Sequence, residues 1–161
     1  KNRNISQHTK LRIFNTNVKS VLLYACETWK VDHKITSRLQ VFVNRCLRRI
    51  LGIWWPERIR NEELWARTNQ APIAAQVKER KWRWIGHTLR KPDGAIEKKA
   101  LEWNPQGMRR RGRPRGTWRR TVQKEAVEVG RSWGELRRLA SSRDEWRVLV
   151  NALCSRSSNR N

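Results

Sequence analysis

Apolar residues recur at Leu11, Phe14, Val18, Val21/Leu22, Ala25 and Trp29. Steps of three and four place them along one side of a helix, with Arg12, Asn15 and Lys19 elsewhere on its surface. A second periodic run holds Ile35, Leu39, Phe42, Val43, Cys46, Leu47 and Ile50, opened by Asp32 as an N-cap and stopped by Gly52. Together they predict an antiparallel helical hairpin. Ile53-Trp54-Trp55-Pro56 breaks the pattern. Asn61 is then expected to cap a short helix, with Glu62 and Glu63 in its positive first turn and Leu64 and Trp65 facing inward. Pro72 suits the first turn of a longer helix reaching about Lys91, before Pro92. Its expected buried face is Ile73, Val77, Trp84 and Thr88, widened by Ile85 and Leu89. Gly86 inside it costs ~1 kcal/mol against Ala, which a close helix crossing would require.

Asp93-Gly94 reads as a turn, and Ala95 to Trp103 fits either a helical turn or a strand. Past the intervening stretch, Thr117 is placed to cap a helix carrying Trp118, Val122, Ala126 and Val129, closed by Gly130. Ser132-Trp133-Gly134-Glu135 has the form of a capping box, and Ser142-Arg143-Asp144-Glu145 repeats it before Trp146, Leu149, Val150 and Leu153. The expected fold is all-α: a helical hairpin plus short helices, a basic non-helical arm, then a small C-terminal helical unit. The expected boundaries are a disordered N-terminus over 1–8, a helical region over 9–92, a linker with the arm over 93–116, a helical unit over 117–154 and a disordered tail over 155–161.

Charge changes this picture from a plain helical protein to one that seeks a polyanion. Lys and Arg number 37 against 14 Asp and Glu, a formal net charge of +23 in 161 residues. Such an excess repels itself in a compact state unless something neutralises it, and nucleic acid is the first candidate. The excess peaks at Arg109-Arg110-Arg111-Gly112-Arg113-Pro114-Arg115-Gly116-Thr117-Trp118-Arg119-Arg120, where seven of twelve residues are Arg. Gly112, Pro114 and Gly116 exclude a continuous helix there. The run Arg111-Gly112-Arg113-Pro114 matches the core of the AT-hook, which lays extended backbone in a narrow A·T-rich minor groove. The plainer reading is a solvated basic linker or nuclear-import signal. The longest apolar run, Val21 to Cys26, is far too short to span a membrane, and Lys1 to Lys10 lacks the apolar core of a signal peptide. Three widely spaced cysteines (Cys26, Cys46, Cys154) read as reduced thiols of an intracellular protein. The absence of an initial Met suggests a piece of something longer.

Catalytic chemistry finds little support. His8, His33, His87 and the three Cys have no zinc-ligand spacing. No carboxylate pair offers a two-metal phosphoryl-transfer site, and no Gly-x-x-x-x-Gly-Lys loop cradles phosphate. No catalytic residue, cofactor, metal or small-molecule ligand is therefore expected. Cations interleave instead with tryptophan over Arg80 to Lys91. Trp82 and Trp84 lie about 200° apart around a helix, so they cannot share one core. The partly exposed one, with Trp82 as the candidate, can stack on an unpaired base. Packing on a neighbouring helix is the plainer role for either. Arg grips phosphate with a planar fork, so Arg48, Arg49, Arg83 and Arg90 are the expected contacts outside the arm. His87 lies beside Arg83 and Arg90 at helical spacing and is either a phosphate contact or a plain surface residue. Within the arm the expected contacts are Arg109, Arg110, Arg111, Arg113, Arg115, Arg119 and Arg120.

Several ordered motifs resemble a known family. Lys10-Leu11-Arg12-Ile13-Phe14-Asn15, Leu22-Leu23-Tyr24-Ala25-Cys26-Glu27-Thr28-Trp29, Cys46-Leu47-Arg48-Arg49-Ile50-Leu51 and Trp82-Arg83-Trp84-Ile85-Gly86-His87 are similar to the region C-terminal to the palm in LINE-type (non-LTR) retrotransposon reverse transcriptases. So are Gly112-Arg113-Pro114 with Thr117-Trp118, the later Trp133, and Asp144-Glu145-Trp146-Arg147. The resemblance covers about residues 9 to 154. It implies a thumb-like helical piece followed by a nucleic-acid-binding tail, with the catalytic palm and endonuclease lying upstream. The expected function is to hold template RNA, primer DNA or their hybrid through phosphates for a polymerase domain, without activity of its own. The alternatives are a structural or interaction remnant of a truncated element that binds nucleic acid nonspecifically, and an AT-hook-like tether for duplex DNA. The implied place is the nucleus or a cytoplasmic ribonucleoprotein, with no membrane partner.

Overall fold

The computed structural model describes residues 5–102 and 117–158, and over these the protein is all-α, without a strand. The chain divides into two compact units, residues 1–26 with 31–77, and residues 27–30 with 78–161. The division between the units falls between residues 77 and 78, inside a helix. Much of the arm (Arg109, Arg110, Arg111, Arg113, Arg115 and the AT-hook match) lies outside the described residues.

In the first unit, α1 (Gln7–Ile13) starts where Ser6 Oγ accepts from Thr9 N at 3.1 Å. α1 continues through a π-helical turn, Phe14–Val18, into α2 (Lys19–Leu22). Hydroxyls crowd this wide turn: Thr16 Oγ1 donates to Arg12 O at 3.0 Å and Ser20 Oγ to Thr16 O at 2.5 Å. Such back-bonding competes with the helical ladder. The wide turn rotates the apolar stripe out of register. Phe14, Leu23 and Cys26 are buried, whereas Val18 is 40% and Val21 75% exposed.

After a short 3₁₀ turn at Cys26–Thr28, α3 (His33–Leu51) opens with Asp32 Oδ1 accepting from Ile35 N at 2.9 Å. It closes at Gly52, whose φ of 79° is one that L side chains rarely adopt, and Ile53 N reaches back to Arg48 O. Gln7 Nε2 donates to Leu51 O, so the start of α1 meets the end of α3 as an antiparallel hairpin requires. Val43 and Leu47 are buried as expected, but Phe42 is 43% exposed.

The next helix, α4 (Asn61–Thr68), corrects one cap. Its N-cap position is Arg60, and no side chain caps it. Asn61 turns instead to α3, its Oδ1 accepting from Asn44 Nδ2 at 3.0 Å and Arg48 Nη2 at 2.7 Å. Asn44, itself buried, accepts from Gln40 Nε2 and Trp65 Nε1, and Gln40 Oε1 accepts from the amide of Ile73. This polar chain, buried at Asn44, ties α3 to α4 and to the start of α5 (Ile73–Leu89).

The second unit takes the rest of α5, then α6 (Ile96–Glu102), α7 (Trp118–Glu128), α8 (Trp133–Ser141) and α9 (Arg143–Ser158). The segment that fitted helix or strand is thus helical, and α9 runs into the expected disordered tail. Thr117 caps α7. α7 ends in a paired bonding pattern: Gly130 N reaches Val127 O at 2.9 Å and Arg131 N reaches Ala126 O at 3.1 Å. The Ser132–Glu135 capping box forms reciprocally, and Ser142 Oγ accepts from Glu145 N at 3.3 Å. The core gathers Trp82, Ile85, Val122, Leu136, Trp146 and Leu153, among others. At its centre Gly86 faces the indole of Trp146, whose Nε1 donates to Trp82 O at 2.9 Å.

Candidate nucleic-acid interface

α5 turns one edge to solvent with Arg83 and His87 along it, and Arg90 follows directly after its last residue, the three spaced by four and three residues. In the second unit Arg83 and Arg90 line a cleft of about 310 Å³ with Arg143, Arg147 and Asn151 of α9, over Trp146 and Val150. Four guanidinium groups therefore converge where the sequence alone had indicated two. Their orientation is set locally: Glu79 holds Arg83 at 2.6 Å, Asp144 holds Arg147 at 3.2 Å, and Arg90 Nη1 donates to Ala140 O at 3.1 Å. Both ion pairs are exposed and thus weak, ~0–1 kcal/mol each, so an incoming phosphate can replace either carboxylate. His87 is exposed on the same edge but does not line the cleft.

Trp82 is not the stacking platform expected. It is fully buried, in ring contact with Trp146 at 5.9 Å, and its Nε1 donates to Glu125 Oε2 at 2.6 Å. Lys81 is buried beside it, its Nζ 2.6 Å from Glu125 Oε1. Trp84, expected inside, is only partly buried, its ring edge-on to Trp118 at 5.9 Å. The α5 face is rotated because a half-buried carboxylate on α7, Glu125, satisfies both the Lys81 ammonium and the Trp82 indole, which no reading of α5 alone contains.

Arg48 and Arg49 belong to the first unit, where they line a second cleft with Arg45. Arg48 has structural partners there, donating to Asn61 Oδ1 and to Ile59 O. Arg119 and Arg120 lie exposed in the first turn of α7 and line neither cleft. Sequence reasoning missed Arg45, Arg143 and Arg147. The last two are four apart around Trp146, a local signal of a cationic rim on an anchored helix.

Among the described residues no group of three His, Cys, Asp or Glu is placed to hold a metal ion. No described helix is long and apolar enough to cross a membrane. None of the described cysteines is in a disulfide, and burial pushes Cys46 and Cys154 above the ordinary thiol range.

No curated protein and no solved structure matches the chain significantly. A family model described as a domain of unknown function (DUF6451) matches residues 1–24, the start of the chain through α2.

Proposed function

We propose that the chain holds nucleic acid through its phosphates, as the thumb-like and tail region of a LINE-type reverse transcriptase, presenting template RNA, primer DNA or their hybrid to a polymerase domain. The convergence of Arg83, Arg90, Arg143 and Arg147 on one cleft carries this reading. Planar guanidinium forks suit backbone phosphate, which positions a strand without reading its bases. The net charge of +23 supports the same class of partner. The reading includes no catalysis by this region.

Fluorescence anisotropy over a salt series tests it, with RNA, DNA and hybrid ligands. Log K should fall by ~0.7–0.9 for each phosphate neutralised, per decade of salt. Arg83→Gln with Arg147→Gln should weaken every ligand and flatten the slope, because both side chains are largely exposed and their loss spares the core. A salt-independent affinity refutes the reading, and primer extension by the chain alone refutes its non-catalytic part. A second reading, a module that docks on a polymerase domain, draws on Val21 and Tyr24, which are 75% and 79% exposed in the first unit.

A further inference from the structure

The second cleft, in the first unit, has a composition that phosphate binding alone does not explain. Arg45, Arg48 and Arg49 come from one edge of α3, and Val41 and Asn44 from the same helix. Ile53, Trp54 and Trp55 follow directly after the Gly52 stop, and Asn61 completes the wall. Among the described residues lining it there is no carboxylate. Trp54 is 50% and Trp55 77% exposed. The Arg58 guanidinium lies over Trp55, 4.8 Å from the ring centroid.

We infer that this cleft binds an unpaired stretch of nucleic acid strand, with a base stacked on Trp55 or Trp54 and the flanking phosphates on Arg45 and Arg49. Exposed aromatic rings beside cations are what a single strand requires, since every base offers a π-face and every linkage a negative charge. In duplex form the bases are already stacked on one another, so the rings offer a duplex nothing comparable. Three arginines without a carboxylate set the sign of the partner. Arg58 on Trp55 shows that the ring already receives a flat cation, and a base is a flat group of similar reach. Gly52 makes the geometry possible: its left-handed backbone turns the chain sharply at the end of α3, bringing Trp54 and Trp55 back beside Arg45 and Arg49. Asn61 holds Arg48 in place at 2.7 Å, leaving the exposed Arg45 and Arg49 to meet the strand.

This inference deepens the nucleic-acid reading above and rests on it, adding that the first unit prefers unpaired strands. The test compares a short oligo(dT) or oligo(U) strand with a duplex of equal length, using the full chain and its Trp54→Ala, Trp55→Ala double variant. Each stacked base lost should weaken single-strand binding roughly fivefold or more, with duplex affinity unchanged. Trp55→Tyr should retain part of the affinity, because a smaller aromatic face still stacks. Arg45→Gln with Arg49→Gln should weaken both ligands and lower the salt slope. Far-UV circular dichroism and the thermal midpoint confirm that each variant is folded. An equal loss for strand and duplex, or no loss for either, overturns the stacking cleft while leaving phosphate binding intact. Wild-type chain that binds neither ligand in a salt-dependent way removes the proposed function itself, and this site with it.

Discussion

Gly86→Ala is the sharpest perturbation the structure offers, because two effects of opposite sign meet at one atom. Alanine in a helix interior is favoured over glycine by ~1 kcal/mol, so propensity alone says that the variant gains stability. Packing says otherwise. A Cβ at Gly86 would lie 2.2 Å from Trp146 Nε1, 2.5 Å from its Cε2 and 2.6 Å from its Cδ1. The obstacle is the body of a ring that is only 3% exposed, not the tip of a mobile side chain. To make room, α9 must move off α5 or the indole must leave its place. Either motion strains the core, at ~1–3 kcal/mol for overpacking. It also stretches the bond from Trp146 Nε1 to Trp82 O, now 2.9 Å, and a buried donor left without a partner costs ~1–3 kcal/mol. Set against the propensity gain, the net loss is about 1–5 kcal/mol.

Urea melts followed by near-UV circular dichroism measure the change, with the midpoint falling at unchanged slope. A double-mutant cycle assigns it. In a Trp146→Ala background the ring that Cβ strikes is gone, so Gly86→Ala should cost far less there than in the wild type. A stabilised Gly86→Ala variant would refute the close crossing outright. An equal cost in both backgrounds would refute Trp146 as its cause.

Leu47→Ala is expected to lower stability by ~2–5 kcal/mol in denaturant melts, since Leu47 is fully buried in the first unit. A loss below ~1 kcal/mol would deny it a place in that core. Glu135 is held below the ordinary carboxylate range, first by the amide of Ser132 and then by its hydroxyl. Its folded value lies under its unfolded one, so its stabilisation is full above the unfolded value and is lost as pH falls through the folded one. Glu135→Gln should therefore flatten the acid limb of a stability–pH curve, and an unaltered limb speaks against the box. Glu125→Gln should cost ~3–5 kcal/mol by leaving the Lys81 ammonium buried without its counter-charge, and adding Lys81→Met should recover most of that in the same melts. Failure of the second change to rescue would mean that the loss comes from elsewhere.

What the sequence made legible were features decided within a few residues. Asp32, Thr117 and Ser132 cap where their hydroxyls or carboxylates reach amides three positions on. Gly52 stops α3 because no other residue takes its backbone so readily. Gly86 advertised a close approach, although its partner lies sixty positions later and stayed hidden. What escaped depended on neighbours distant in sequence. Asn61 looks like a cap until Asn44 and Arg48 claim its oxygen. Trp82 and Trp84 cannot be ranked without knowing that Glu125 waits on α7. The π-helical turn at Phe14–Val18 defeats a fixed helical period, so Val21 appears inward on paper and lies open in the structure. The candidate site follows the same rule. Arg83 and Arg90 were visible as an edge, and only the approach of α9 turned that edge into a cleft.

The two clefts differ in how their charge is held, and that difference bears on what each can contribute. In the second unit four arginines face two carboxylates, Glu79 and Asp144, so the local balance is four minus two, a net of two positive charges. These exposed ion pairs, Glu79 with Arg83 and Asp144 with Arg147, are each worth only ~0–1 kcal/mol, little for a phosphate to displace under the proposed function. Under the proposed function, such a cleft would take a phosphate backbone through charge, without stacking on its bases. In the first unit the three arginines face aromatic rings, and Arg58 already rests on Trp55. A strand entering there gains stacking in addition to charge, but only where its bases are free to leave one another. Discrimination between single strand and duplex should therefore reside in the first unit, whereas the salt slope should draw on both.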